Sequence, residues 1–152
     1  MKRTISVLVE NRAGVLSRVA GLFARRGFNI DSLAVGTTSE AGVSCITLVA
    51  DDQDNQVEQI TKQLNKLIDV IKLKEYAPEE IVSRELALIK LRATPQNRGE
   101  IAELARLAGG KICDITRSTL TIEYCDTTDQ VERFLEVCRP YGLKRVVRTG
   151  AI

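Results

Sequence analysis

Ile5, Val7 and Val9 fall on one parity of the chain's first segment, and Thr4, Ser6 and Leu8 on the other, a spacing that predicts a half-buried strand. The period then lengthens. Val15, Leu16, Val19, Ala20, Leu22 and Phe23 make a broad stripe on one face of a helix, while Arg18, Arg25 and Arg26 lie off it. The two arginines at the end suit the helix dipole, and Gly27 supplies the stop. Phe28 to Val35 and Val43 to Ala50 read as strands on either side of the turn-rich Gly36–Gly42 segment. Asp51, Asp52 and Asp54 offer N-caps to a helix carrying Val57, Ile60, Leu64, Leu67 and Ile68, and Val70 to Tyr76 forms another strand. The order is βαββαβ.

Ala77-Pro78-Glu79-Glu80 breaks the pattern, and the same order then repeats. Leu86 to Ala93 is a strand, and Pro95-Gln96-Asn97 opens a helix with Ile101, Leu104, Ala105 and Ala108, stopped by Gly109-Gly110. Ile112 to Ile115 and Leu120 to Cys125 are the middle strands. Val131, Phe134, Leu135 and Cys138 mark the next helix, and Leu143 to Arg148 the last strand. Gln56-Val57-Glu58 recurs as Gln130-Val131-Glu132 at the start of the second helix of each half. The fold class expected is α+β, two βαββαβ sandwiches, with residues 1–76 and 84–152 joined by a linker at 77–83. A sheet covered by helices on one face leaves the other bare, which predicts pairing between units or between chains.

Composition narrows the chemistry. The 152 residues carry a net charge of +2 and only 4% aromatics, so neither a nucleic-acid partner nor a membrane surface is called for. There is no histidine, the commonest general base and metal ligand. Cys45, Cys113, Cys125 and Cys138 lack the spacing of zinc or redox motifs and are expected as buried, reduced thiols. Met1-Lys2-Arg3 runs straight into a strand with no targeting segment, which points to a cytoplasmic setting. The aspartates at 51, 52 and 54 do not fit a calcium loop, so no metal site and no catalytic residue are expected.

The informative segment is Glu10-Asn11-Arg12-Ala13-Gly14-Val15-Leu16, where the first strand turns into the first helix. Such a loop sets free backbone N–H groups beside an Asn side chain, an arrangement that suits a small carboxylate. On spacing alone Asn11 reads first as a turn or capping residue and second as a ligand contact. Asn29, expected one residue into an apolar strand where Asn is disfavoured, is the more conspicuous amide. Two amides to accept from an ammonium group and a loop to donate to a carboxylate together describe a free α-amino acid.

The run Ile5-Ser6-Val7-Leu8-Val9-Glu10-Asn11, followed by Gly14-Val15-Leu16-Ser17-Arg18-Val19, resembles the small regulatory subunit of acetohydroxyacid (acetolactate) synthase. The resemblance continues through Gly21-Leu22-Phe23, Arg26 to Leu33, Gln59 to Val70 and Arg84 to Lys90. It implies two ferredoxin-like βαββαβ domains, an N-terminal ACT domain and a C-terminal ferredoxin-like domain. It also implies activation of a catalytic large subunit and feedback inhibition by valine or another branched-chain amino acid. This chain would bind no cofactor; thiamine diphosphate, FAD and magnesium would sit in the large subunit. The effector site implied lies in a homodimer, with Asn11, Ala13, Gly14, Val15 and Leu16 from one subunit and Asn29 and Ile30 from the other. The chain departs from the family at Cys45, where arginine is usual, and it stops at Ala151-Ile152, where members usually carry a short tail. The alternative reading is a stand-alone ACT-type amino-acid sensor acting on another protein.

Overall fold

Ile5, Val7 and Val9 all enter one core, as their alternation requires, because two helices cover the same face of their sheet. The computed structural model describes residues 1–152. The first six elements are β1 (Lys2–Glu10), α1 (Val15–Arg26), β2 (Ser32–Thr37), β3 (Val43–Asp51), α2 (Gln56–Leu64) and β4 (Val70–Tyr76). A 3₁₀ turn at Pro78–Glu80 follows. The order repeats as β5 (Glu85–Arg92), α3 (Arg98–Ala108), β6 (Lys111–Ile115), β7 (Thr119–Asp126), α4 (Thr128–Cys138) and β8 (Leu143–Arg148). The chain divides into two compact units, Met1–Val82 and Ser83–Ile152.

Each unit holds one four-stranded antiparallel sheet, ordered β2-β3-β1-β4 in the first and β6-β7-β5-β8 in the second. The βαββαβ order is the one the periodicity predicts, and the strand order is that of the ferredoxin-like fold the resemblance implies. In the first unit, Ile46, Leu48 and Ala50 of β3 meet Val15, Val19, Leu22 and Phe23 of α1 and Val57, Ile60 and Leu64 of α2. Ile89, Leu91, Ile101, Ile122, Val131, Phe134 and Leu135 do the same in the second. Each such aliphatic side chain contributes on the order of 1.5–3 kcal/mol by leaving water. Gly27 ends α1 in the left-handed region, and Phe28 N–H donates back to the Phe23 carbonyl at 3.2 Å.

Four local expectations need correction. Residues 28–31 are not strand, and β2 begins only at Ser32. The backbone of Phe28 closes the helix and that of Asn29 is held by the Gln56 side chain, so neither joins the ladder. The aspartates do not cap α2. Asp51 binds the Met1 ammonium at 2.9 Å, and the helix is entered through Asp54 and Asn55 with φ of 54° and 58°. Helix α2 stops at Leu64; Leu67 reaches the core from the turn beyond it, while Ile68 points to solvent at 90% exposure. Finally, the four thiols are free as expected, but only Cys138 is buried. Cys113 sits at the register shift of β6, and Cys125 is exposed on β7. Cys45 is half-buried in β3, with Sγ 3.5 Å from Ser6 Oγ.

Candidate functional site

Strand β1 delivers the loop at residues 11–14 to the N-terminal end of α1. Asn11 N–H donates to the Gly42 carbonyl at 2.8 Å, and Arg12 N–H to the Glu10 carbonyl at 3.0 Å. Gly14 takes φ +86°, where a side chain is disfavoured, and its carbonyl accepts from Arg18 N–H at 3.0 Å. The N–H groups of Ala13, Gly14, Leu16 and Ser17 have no acceptor within the chain, and all four residues are exposed. The Asn11 side chain is likewise exposed and without a partner. Four outward donors at a helix start make a place for an anion.

Beneath the loop lies a charge cluster that the sequence did not announce. The ladder between β1 and β4 shifts register between Leu8 and Val9, and this irregularity brings Asp69 under the loop. Its side chain is 3% exposed, with one oxygen 2.9 Å from Arg12 Nη2 and the other 2.7 Å from Arg18 Nε. Arg12 Nη2 also meets Glu10 at 2.5 Å. The hydrogen bond from Arg18 and the charges of both guanidiniums hold the Asp69 carboxyl below its usual range, against the opposing effect of desolvation. Two carboxylates and two guanidiniums leave the cluster formally neutral.

Asn29 lies past the other end of α1. Gln56, the first residue of α2, accepts from Asn29 N–H at 3.3 Å and donates to its carbonyl at 3.1 Å. The Asn29 side chain is left exposed and unpaired. Ile30 packs partly against the core, and Val15 belongs to it. Leu16, at 47% exposure, is the apolar side chain of the motif that remains open. Helix α1 has 12 residues, so Asn11 and Asn29 are separated by about 18 Å of helix. Within one chain the structure therefore gathers Asn11, Ala13, Gly14 and Leu16 at one end of α1 and leaves Asn29 and Ile30 at the other.

Arg12, Arg18, Asp69 and Gln56 were missed as site residues. A lone carboxylate between Ile68 and Val70 was a visible signal, and so was the repeated Gln56 motif. Which arginines answer Asp69 depends on strand pairing, which no local spacing contains. No cluster of three or more potential metal ligands is present. No helix is long and apolar enough to cross a membrane.

Residues 5–72 match the model of the AHAS small subunit-like ACT domain, and residues 84–152 that of the small subunit of acetolactate synthase. The chain is 51% identical over 152 residues to a probable acetolactate synthase small subunit of Archaeoglobus fulgidus, covering 100% of this chain and 95% of the relative. It is 50% identical over 149 residues to the acetolactate synthase small subunit of Mycolicibacterium smegmatis, covering 98% and 88%. The crystal structure of the Thermotoga maritima acetolactate synthase small subunit superposes with a TM-score of 0.91 at 38% identity, covering 100% of this chain and 95% of that one.

Proposed function

The chain belongs to the family of acetolactate synthase small subunits, and we propose that it senses a branched-chain amino acid, valine first, on behalf of a catalytic large subunit. The effector's carboxylate meets the open N–H groups of the Gly14 loop, and the amides of Asn11 and Asn29 accept from its ammonium group. Leu16 borders its side chain. The observation that carries this reading is the position of the two amides at opposite ends of α1. About 18 Å of helix is far more than one amino acid spans, so a site that uses both amides takes Asn11 from one copy and Asn29 from a second. The site exists only in a homodimer. Residues 1–76 make the effector-binding and dimerising domain, residues 77–83 the linker, and residues 84–152 the second domain. Thiamine diphosphate, FAD and magnesium stay with the large subunit, and the complex works in the cytoplasm.

Regulation then follows from linkage. Valine can signal only through a difference in its affinity for two arrangements of the subunit pair. A stand-alone sensor would need only the first unit. The match over residues 84–152 supports the small-subunit reading instead.

Two experiments test it. Acetolactate formation by the large subunit is measured with and without the chain. Equal rates across a titration, with association confirmed, remove the regulatory role. Asn11→Ala and Asn29→Ala are then mixed after each has been shown to bind valine weakly. Random re-pairing makes half of the dimers mixed, each with one intact and one doubly altered site, so about one site in four regains parental affinity. Mixed dimers that regain none rule out the two-chain site.

A further inference from the structure

We propose that Asp69 is a positioning residue for the effector's carboxylate, acting through Arg18; the inference rests on the effector reading above. A carboxylate 3% exposed keeps its charge only with close partners, and Arg12 and Arg18 supply one guanidinium to each oxygen. The two arginines are not equivalent. Arg12 divides one nitrogen between Glu10 and Asp69, so two carboxylates answer its charge. Arg18 commits only Nε, and its Nη1 and Nη2 donors make no bond within the chain. Its Nη1 lies 3.2 Å from where a Cβ on Gly14 would stand, over the residue where the open loop passes into α1. An anion at Gly14 thus meets backbone N–H groups and a free guanidinium edge together, the charge-assisted combination that distinguishes a carboxylate from a neutral group. Asp69 holds that guanidinium in place, since a side chain with this many rotatable bonds and half its surface in water has no other fixed contact.

The ligand class that follows is an amino acid with a free carboxylate; its amide should be rejected. The test measures binding of valine and of valinamide to the full chain by calorimetry, for the parent, Asp69→Asn, Arg18→Gln and Arg18→Lys. The parent is expected to prefer valine by at least about tenfold. Asp69→Asn and Arg18→Gln should reduce that preference to about threefold or less while leaving valinamide binding nearly unchanged. Arg18→Lys should restore only part of it, since an ammonium group has no Nε edge to dock on Asp69. If Asp69→Asn fails to fold, Arg18→Gln decides, because that side chain is half-exposed and outside the core. A parent chain that binds none of valine, leucine or isoleucine overturns the effector reading itself. A parent that binds and discriminates, with folded variants that discriminate equally well, overturns the role of Asp69 and leaves the effector reading standing. Equal weakening of both ligands in the variants shows a merely structural part for the pair and also overturns it.

Discussion

Gly14 and Gly109 form a controlled pair for separating backbone strain from function. Both precede or follow a helix with φ +86°, one at the start of α1 and the other at the end of α3. An alanine methyl costs roughly 1–2 kcal/mol in the left-handed region, offset by about 0.4–1 kcal/mol from the stiffer unfolded chain. The net destabilisation expected at either position is about 1 kcal/mol. At Gly109 nothing lies within 4 Å of the added carbon, so this is the whole effect. At Gly14 the carbon would meet Arg18 Nη1 at 3.2 Å. A mobile guanidinium gives way cheaply, so the stability loss stays similar, but the donor it carries is displaced and the methyl enters the space in front of the loop N–H groups. Valine binding to Gly14→Ala should weaken at least tenfold, about 1.4 kcal/mol, while Gly109→Ala binds as the parent does. Hydrogen exchange resolved by segment reads the stability of each unit separately, which a single unfolding curve of a two-unit chain does not. Calorimetry with valine reads the affinity. Parental affinity in Gly14→Ala, or an equal loss in Gly109→Ala, refutes the reasoning.

Three further outcomes are expected. Thr127 caps α4 by accepting from Gln130 N–H, so Thr127→Ala should cost the second unit about 1 kcal/mol of exchange protection and leave valine binding unchanged. Asp69, whose folded carboxyl titrates below its usual range, stabilises the chain fully above about pH 4 and loses that contribution as pH falls through the folded value. Asp69→Asn should remove this part of the acid dependence, read as the slope of stability between neutral and acid pH. Burial pushes the Cys138 thiol up to about 11, so a thiol reagent at neutral pH should label Cys113 and Cys125 in the native chain and Cys138 only after unfolding.

The βαββαβ order was readable because each element carries an undiluted period. Ile5, Val7 and Val9 admit one strand face, and Val131, Phe134, Leu135 and Cys138 one helix face. Failures came where the chain's backbone is committed to a distant partner. Nothing near Phe28 or Asn29 in sequence reveals that Gln56, 27 residues on, satisfies both backbone groups of Asn29. Glycine positions were legible at Gly14 and Gly27, since a helix boundary there demands an unusual angle. Asp54 and Asn55 were not, because asparagine and aspartate serve equally as caps and as left-handed residues. The loop of the candidate site was visible as a motif. Its supporting carboxylate was not, since Asp69 owes its place to a register shift in a ladder between strands 60 residues apart.

The second unit shows that the loop's backbone alone does not make the site. Its ladder shifts register between Lys90 and Leu91, as the first does between Leu8 and Val9. Arg92 N–H donates to the Gly142 carbonyl as Glu10 N–H does to that of Asp69, and Ala93 N–H to that of Ser118 as Asn11 N–H does to that of Gly42. The side chains differ at each of these places. Glycine stands where the first unit has its buried carboxylate, and a Cβ on Gly142 would lie 3.2 Å from the Arg92 side chain. Alanine replaces the exposed amide. Thr94 and Asn97 bind each other reciprocally, with Thr94 N–H on the Asn97 side-chain Oδ1 at 2.6 Å and Asn97 N–H on Thr94 Oγ1 at 3.2 Å. One fold thus carries a loop tied to itself and a loop held open over a guanidinium. Counted from the matching pairs Glu10/Arg92 and Asn11/Ala93, the Arg18 position of the second unit is held by Glu100, which accepts from the Tyr141 hydroxyl, so a carboxylate grafted alone onto position 142 would find an acid on α3 where α1 offers its guanidinium. The difference between the units resides in a set of residues that must change together.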